Sequence, residues 1–210
     1  MDNSGTVMAV LADVNALVTD SHIVYTSGKH GTAYVNKDAV YPHVEKIQQL
    51  CSMLAAAFHD FGPDVVVGPA IGGVILSQWT AFHLSRHSYR PLAVYAEKEG
   101  EGFIIKRGYE KMIPGKKVLV VEDVLTTGGS VKKVIEAIRA INGDVIGVGA
   151  LVNRGGVTEQ DIGDPPVLKC LINVKLDAWD AAECPMCKSG IPINTSVGKG
   201  REFLAKQKGG

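Results

Sequence analysis

The sequence has no net charge: its 22 lysines and arginines are matched by 22 aspartates and glutamates over 210 residues. No basic field therefore draws it to nucleic acid or to an anionic membrane, and recognition of any anion has to be local. Also missing are an apolar run of membrane-spanning length and the basic-then-apolar N-terminal stretch of a secretory signal. A cytoplasmic protein is expected. The Gly-x4-Gly-Lys-Ser/Thr pattern of nucleoside-triphosphate loops is absent. Gly115-Lys116-Lys117 follows a proline and leads into a strand, the wrong order for that motif. No internal repeat, low-complexity tract or linker divides the chain. Apolar residues make up 46% and charged residues 21%. That is the composition of a soluble globular enzyme, long enough for one sizeable α/β domain with some excess for an appendage.

Cysteine is scarce, at Cys51, Cys170, Cys184 and Cys187, and only Cys184-Pro185-Met186-Cys187 forms a motif. A zinc site needs two further ligands, and no second Cys-x2-Cys or nearby histidine supplies them. A thioredoxin-type pair opens a helix after an early strand, whereas this pair lies near the C-terminus. A structural turn with reduced thiols is expected, with metal and redox roles as the alternatives.

The most informative stretch is residues 118–130, Val-Leu-Val-Val-Glu-Asp-Val-Leu-Thr-Thr-Gly-Gly-Ser. The apolar run Val118 to Val121 reads as a buried strand ending in the acids Glu122 and Asp123. Thr126-Thr127-Gly128-Gly129-Ser130 then forms a small-residue loop before an amphipathic helix. Such a loop offers closely spaced backbone N–H groups and three hydroxyls without bulk, which suits a phosphate. The acids are placed to accept hydrogen bonds from the vicinal hydroxyls of a sugar. Together they describe a ribose-5-phosphate site.

The surrounding pattern is that of an α/β protein. Met8 to Val18 has apolar residues at helical spacing, and short strands at Ile23–Thr26 and Ala33–Asn36 flank the donor-rich turn Ser27-Gly28-Lys29-His30-Gly31. A helix over about 43–59 sets Val44, Ile47, Leu50, Cys51, Leu54 and Phe58 on one face. Strands are expected at 64–67, 91–95, 117–121, 145–152 and 167–174, and helices from the Gly72-Gly73 turn to about Arg86 and over about 130–141. Strand–helix alternation from 64 to 152 implies a parallel sheet with right-handed crossovers. The core is expected at about 43–175, with a small hood from about 1–40 and the C-terminal tail; Gly198 to Gly210 is expected to fray.

Gly68-Pro69-Ala70-Ile71-Gly72-Gly73 sits between a strand and a helix, where an α/β sheet presents ligands, and its backbone can approach a pyrophosphate closely. Residues 96–116 are polar and glycine-punctuated, with at most a short hairpin around Phe103 to Ile105. They carry Lys98, Lys106, Arg107 and Lys111. A structureless stretch of that length inside a domain reads as a lid.

Residues 118–130 resemble the signature of the type I phosphoribosyltransferases, which bind 5-phosphoribosyl 1-diphosphate (PRPP). The resemblance narrows to the orotate phosphoribosyltransferases and covers nearly the whole chain. It is carried by Thr26-Ser27-Gly28-Lys29-His30 with Tyr34-Val35-Asn36-Lys37, by residues 68–73, by Ala96-Glu97-Lys98, and by Val152-Asn153-Arg154. Residues 184–192 resemble a tail in one bacterial branch. The resemblance implies that Glu122 and Asp123 bind the ribose hydroxyls and that Thr126 to Ser130 hold the 5-phosphate, with Val124 and Leu125 also lining PRPP. Ala70, Ile71 and Gly72 would take the pyrophosphate, which the family often binds through a strained peptide. Lys98, Lys106 and Arg107 would close over it, with Lys98 and Asp123 catalytic. Thr126, Arg154, Tyr34 and Lys29 would face orotate.

Mg2+ would be carried mainly by PRPP and water, with no direct protein ligand. The family is dimeric, the lid of one subunit closing over its neighbour's site. An apolar stripe at Ile75, Trp79 and Phe82 could serve such an interface or the core. One departure stands out: the commoner lid has an Arg-Lys pair followed by another lysine and a histidine, where this chain has the acid-rich Glu97-Lys98-Glu99-Gly100-Glu101. A transferase for a purine or another base, or a PRPP sensor without catalysis, are the other readings; the neutral charge balance argues against a nucleic-acid-binding sensor.

Overall fold

β-Branched runs form the centre of the molecule, and their continuity has a simple cause: strands covered on both faces have no polar side to show. The computed structural model describes residues 4–86, 90–174 and 176–208. In chain order its elements begin with α1 (Ser4–Asp13), β1 (Leu17–Val18), β2 (Ile23–Val24), β3 (His30–Gly31), β4 (Tyr34–Val35), α2 (Val44–Phe58), β5 (Val65–Pro69) and α3 (Gly72–Ser85). There follow β6 (Leu92–Glu99), β7 (Gly102–Ile104), β8 (Lys117–Leu125), α4 (Gly129–Ala140), β9 (Asp144–Asn153), β10 (Leu168–Asn173), α5 (Pro185–Lys188) and α6 (Gly200–Lys208). Two compact units result: Met1–Val7 with Tyr41–Val174, and Met8–Val40 with Lys175–Gly210.

The larger unit holds a six-stranded sheet of order β10-β9-β8-β5-β6-β7. All its pairings are parallel except β6 with β7. Strand periodicity divides the runs between two layers. Val65, Val67, Val118 and Val120 pack with Val131, Val134, Ile135 and Ile138 of α4. The alternate residues Val66, Leu119 and Val121, also buried, belong to the opposite face, as do the buried Leu76 and Leu84 of α3 and Ile47, Leu50, Leu54 and Phe58 of α2. Phe58 lies where β9 has no side chains: a Cβ on Gly147 or Gly149 would come within 2.9 Å of its ring. The expected α/β class with a parallel sheet is what the chain adopts.

Several boundaries differ from expectation. The first helix covers Ser4–Asp13, and Leu17–Val18 is a strand. Val44 is 58% exposed rather than on the buried face of α2, because it is the first helical residue and precedes the turn that meets the sheet. The basic C-terminal stretch is helical from Gly200 to Lys208, anchored by Phe203, whose ring meets that of His30 edge-on at 4.8 Å; Gly209 and Gly210 lie outside the described residues.

The smaller unit is tied together across the sequence. β1 pairs antiparallel with β4 and β2 with β3, and the tail attaches through bridges His30 to Trp179 and His22 to Ile193. Lys199 N–H donates to the Val24 carbonyl at 2.7 Å, and Asn194 Nδ2 to Ser21 Oγ at 2.9 Å. Among the described residues no helix is long and apolar enough to cross a membrane.

Truncating Phe58 would open a cavity against rigid strand backbone. Phe58→Ala is expected to cost about 3–5 kcal/mol, read as a lowered urea midpoint with an unchanged slope.

Candidate active site

The sheet reverses its order of filling between β5 and β8. From β5 the chain proceeds outward through β6 to β7; from β8 it proceeds the other way through β9 to β10. In an open α/β sheet such a reversal leaves a crevice at the carboxyl ends of the two strands, where no crossover blocks access. Loop 68–73 leaves β5 at that end and loop 126–130 leaves β8.

β8 runs on through Leu125, four residues past the expected end at Val121, because β9 continues to pair with it at Glu122, Val124 and Leu125. The acids thus sit inside a strand, and both are buried, at 8% for Glu122 and 4% for Asp123. Buried carboxylates need donors. Asp123 N–H donates to Glu122 Oε1 at 2.9 Å and Val124 N–H to Asp123 Oδ1 at 2.6 Å, while the Tyr41 hydroxyl makes a short hydrogen bond to Asp123 Oδ2. An ionised carboxylate has about four acceptor sites, and sugar hydroxyls are donors of the kind it accepts.

Gly72 makes the Tyr41–Asp123 contact possible. A Cβ there would lie 2.1 Å from Asp123 Oδ2 and 2.2 Å from Tyr41 Oη. The turn leading to it is closed by Gly68 and Gly73, each without room for a Cβ beside the other. Its Ala70–Ile71 peptide is cis, the Ala70 N–H donates to the Ala96 carbonyl at 2.8 Å, and Ile71 is exposed.

Both loops end in helix N-termini without a side-chain cap: α3 begins after Ile71 and α4 after Gly128. Uncapped N-terminal N–H groups and the helix dipole favour an anion. Residues Glu122 and Val124 to Val131 line a concavity of about 140 Å³. Gly128, at φ +75°, has Ile162 and Val157 beneath it, within 2.4 and 3.1 Å of a hypothetical Cβ. This glycine thus answers to packing as well as to any ligand. A larger concavity of about 770 Å³ lies between α2 and β10. Its thiol, Cys170, is pushed up to about 11 by burial, and its Lys169 ammonium bonds the Ala57 carbonyl at 2.7 Å, so it offers no nucleophile at neutral pH.

Arg154 follows β9 and turns back onto loop 126–130, its Nε donating to Thr126 Oγ1 at 2.9 Å. The neighbouring backbone allows this: Gly155 N–H bonds the Leu125 carbonyl at 3.2 Å, and a Cβ on Gly155 would overlap the Thr126 carbonyl. Buried Asn153 braces the turn, donating to the Val157 carbonyl at 2.8 Å and accepting from Val157 N–H at 3.0 Å.

Residues 96–116 are not structureless. β6 extends to Glu99 and pairs with β7 in a hairpin, Glu97 opposite Ile104 and Lys98 opposite Phe103, and a 3-10 turn follows at Tyr109–Met112. Two causes override the polar composition. Phe103, Ile105 and Tyr109 pack on the core beside α4, and the charges pair. Lys106 Nζ lies 3.3 Å from Glu97 and 3.6 Å from Glu99, and Arg107 forms a short contact with Glu97. The Arg107 hydrogen bond is the main reason the Glu97 carboxyl lies below its ordinary range. Alternation places Lys98 on the hairpin face opposite Glu97 and Glu99, and Lys98 is exposed.

In the smaller unit, Lys29 pairs with Asp180 at 3.5 Å and half-buried Tyr34 lies opposite Val18 in the β1–β4 ladder. The expectation that no histidine accompanies Cys184 and Cys187 is overturned: His22 and His30 join them in one cluster. They lie more than 150 positions away in sequence, so spacing around the cysteines could not reveal them. Tyr41 was missed for a similar reason; no motif marks it, and only the fold brings it to Asp123.

Residues 36–183 match the phosphoribosyl transferase domain family. The chain is 39% identical over 91% of its length to an orotate phosphoribosyltransferase of Caldicellulosiruptor bescii, covering 95% of that protein. The chain belongs to the orotate phosphoribosyltransferases. The fold agrees with this family: a Mycobacterium tuberculosis orotate phosphoribosyltransferase solved with PRPP aligns with a TM-score of 0.59 at 20% identity, over 83% of this chain and 97% of that one. An adenine phosphoribosyltransferase of Thermoanaerobacter pseudethanolicus aligns almost as well, at 0.58 and 17% over 78% and 99%. Fold alone therefore does not separate orotate phosphoribosyltransferases from those acting on purines; sequence does.

Tyr41→Phe removes a hydrogen bond to a buried carboxylate and is expected to cost about 1.5–3 kcal/mol in a denaturation measurement. Gly72→Ala should be destabilising alone and milder in the Tyr41→Phe background, where one clashing atom is gone. Strict additivity in this double-mutant cycle would mean that Gly72 serves some other contact.

Proposed function

We propose that the chain is a cytoplasmic enzyme that transfers the 5-phosphoribosyl group of PRPP to orotate, giving orotidine 5′-phosphate and diphosphate in pyrimidine biosynthesis. The observation that carries this reading is the meeting of two uncapped helix N-termini and two buried acids at the sheet's reversal point, in a chain whose relatives bear that activity. A bond forms between the ring nitrogen of orotate and C1 of the ribose, that nitrogen gives up its proton to solvent, the C1–oxygen bond breaks, and diphosphate leaves with its electron pair. Positive charge develops on the ribose in between, and a leaving group rich in negative charge must be stabilised with water excluded.

In this reading the loop from Thr126 to Ser130 holds the 5-phosphate against the α4 N-terminus, with Val124 and Leu125 forming its floor. Glu122 and Asp123 accept hydrogen bonds from the 2- and 3-hydroxyls, and their negative charge favours the cationic ribose. Ala70, Ile71 and Gly72 present backbone to the diphosphate. Arg154, held by Thr126, offers the planar multi-donor group that a carboxylate and neighbouring carbonyls call for. Lys29 and Tyr34 are assigned to orotate by resemblance.

The hairpin supplies the cations of the lid. Lys98 is the catalytic candidate, with Lys106 and Arg107 in support. In the ion pairs that hold the latter two, the Lys106 and Arg107 side chains are open to solvent, so exchanging Glu97 for diphosphate oxygens is cheap. The polar side chains around loop 126–130 present oxygen donors, which suit Mg2+. With Glu122 and Asp123 assigned to the ribose hydroxyls, the ion would be held mainly through PRPP and water. When bound, Mg2+ would neutralise charge on the diphosphate. Turnover with PRPP against a panel of bases tests the whole reading: orotate should be the substrate, and activity should vanish in excess chelator and return with Mg2+.

Arg154→Ala should raise the KM for orotate by about thirtyfold, equivalent to about 2 kcal/mol at the low end for a charged hydrogen-bonded contact, with a much smaller effect on PRPP. Equal losses for both substrates would make Arg154 structural.

The homodimer, with the lid acting in trans, is part of the same proposal. Leu76, Thr80, Ala81 and Leu84 take the buried side of α3. Phe82 is 46% exposed and carries Trp79 edge-on at 5.6 Å, an apolar stripe suited to a second copy. Lys98→Ala and Asp123→Ala chains, each inactive alone, should recover activity after subunit exchange, since mixed dimers contain one site with both residues. Continued inactivity after verified exchange would place the lid in cis or remove Lys98 from its role.

A further inference from the structure

The cluster of His22, His30, Cys184 and Cys187 lies outside the transfer chemistry and wholly within the smaller unit. One ligand atom from each of the four residues lies within 4.8 Å of every other. His22, His30 and Cys184 are buried to within 2% of full burial, while Cys187 is at the surface. We propose that these four side chains bind one zinc ion in a closed, structural Cys2His2 site.

Four of the six separations between ligand atoms already lie near the edges of a zinc tetrahedron. Zn–N bonds of about 2.0–2.1 Å and Zn–S bonds of about 2.3 Å imply N···S edges of about 3.6 Å and an N···N edge of about 3.3 Å. The measured N···S separations are 3.6 Å from His22 Nε2 to each sulfur and 3.4 Å from His30 Nδ1 to Cys187. His22 Nε2 and His30 Nδ1 stand 2.8 Å apart and need to part by only about half an ångström. Four thiolate and imidazole ligands in this arrangement select zinc over the oxygen-seeking Mg2+.

Much of the supporting shell is built as well, although the buried His30 Nε2 has no hydrogen-bond partner among the described residues. His22 Nδ1 bonds the Ile191 carbonyl at 2.7 Å; the proton sits on Nδ1, and Nε2 presents its lone pair to the cluster. The Cys-Pro-Met-Cys turn is fixed by Lys188 N–H to the Cys184 carbonyl and Gly190 N–H to the Cys187 carbonyl, both at 3.1 Å, with Gly190 at φ +66°. His30 is held by its two backbone bonds with Trp179, at 2.8 and 2.9 Å.

There is also a need for such a staple. The smaller unit joins two segments separated by the whole catalytic unit in sequence, and its strands are two residues long. A body of this size supplies little core, and small bodies of that kind commonly rely on metals or disulfides. Zinc would cross-link the 22–30 hairpin to the tail at 184–187.

The test uses the full chain, purified under reducing conditions and loaded with Zn2+. Elemental analysis after desalting should find one zinc per chain. Replacement by Co2+ should give the strong visible bands of a tetrahedral ion and a near-ultraviolet thiolate charge-transfer band. Cys187→Ser, changed at the surface, should keep its far-ultraviolet circular dichroism. It should weaken zinc at least tenfold in competition with a chromogenic chelator and diminish the charge-transfer band. Cys170→Ser should alter neither. Substoichiometric zinc after loading, a cobalt spectrum without the thiolate band, or unchanged zinc retention in Cys187→Ser would overturn the assignment. So would a Cys184–Cys187 disulfide in the reduced preparation, seen as a mass deficit of two hydrogens.

Discussion

The parallel register of β5 against β8 is the constraint on which the candidate site depends. Val65 to Val67 stand opposite Val118 to Val120, so β5 finishes at Pro69 level with Glu122 while β8 runs on. The stagger sets the turn out of β5 level with Asp123. A glycine at position 72 is then the residue that lets Tyr41 and a carboxylate occupy the same few ångströms. Successive strand residues face opposite ways, so shifting the register by one residue would bring Glu122 or Val124 in place of Asp123 to the turn, on the other face of the sheet.

Much of this was legible in the sequence, for physical reasons. The strands buried on both faces appear as unbroken β-branched runs, and α4 shows a clean helical stripe at Val131, Val134, Ile135 and Ile138, all buried. The two loops are recognisable because small residues and hydroxyls before a helix have few other uses. Where reading failed, the deciding partner was remote in the chain. β8 was expected to stop at the first acid because charge normally ends a buried strand, yet pairing with β9 and a donor from Tyr41 carry it through Leu125. The histidines beside Cys184 and Cys187 belong to the opposite end of the sequence.

The hairpin at 92–104 shows how composition misleads. Glu97-Lys98-Glu99 looks like solvated loop, but alternation in a strand sets both glutamates on one face, where Lys106 spans them. The acidic residues of this hairpin therefore hold its cations in place, and Lys98 is left on the other face.

The hydrogen bond from Arg154 to Thr126 joins the end of β9 to the 126–130 loop through a single atom. Any ligand that fixes the 126–130 loop also fixes the guanidinium, lowering the ordering entropy left for the next ligand to lose. Linkage makes any such effect mutual: a ligand at the loop and a ligand at the guanidinium change one another's affinity by the same factor. Occupants of the two positions are thereby coupled across a distance of one hydrogen bond.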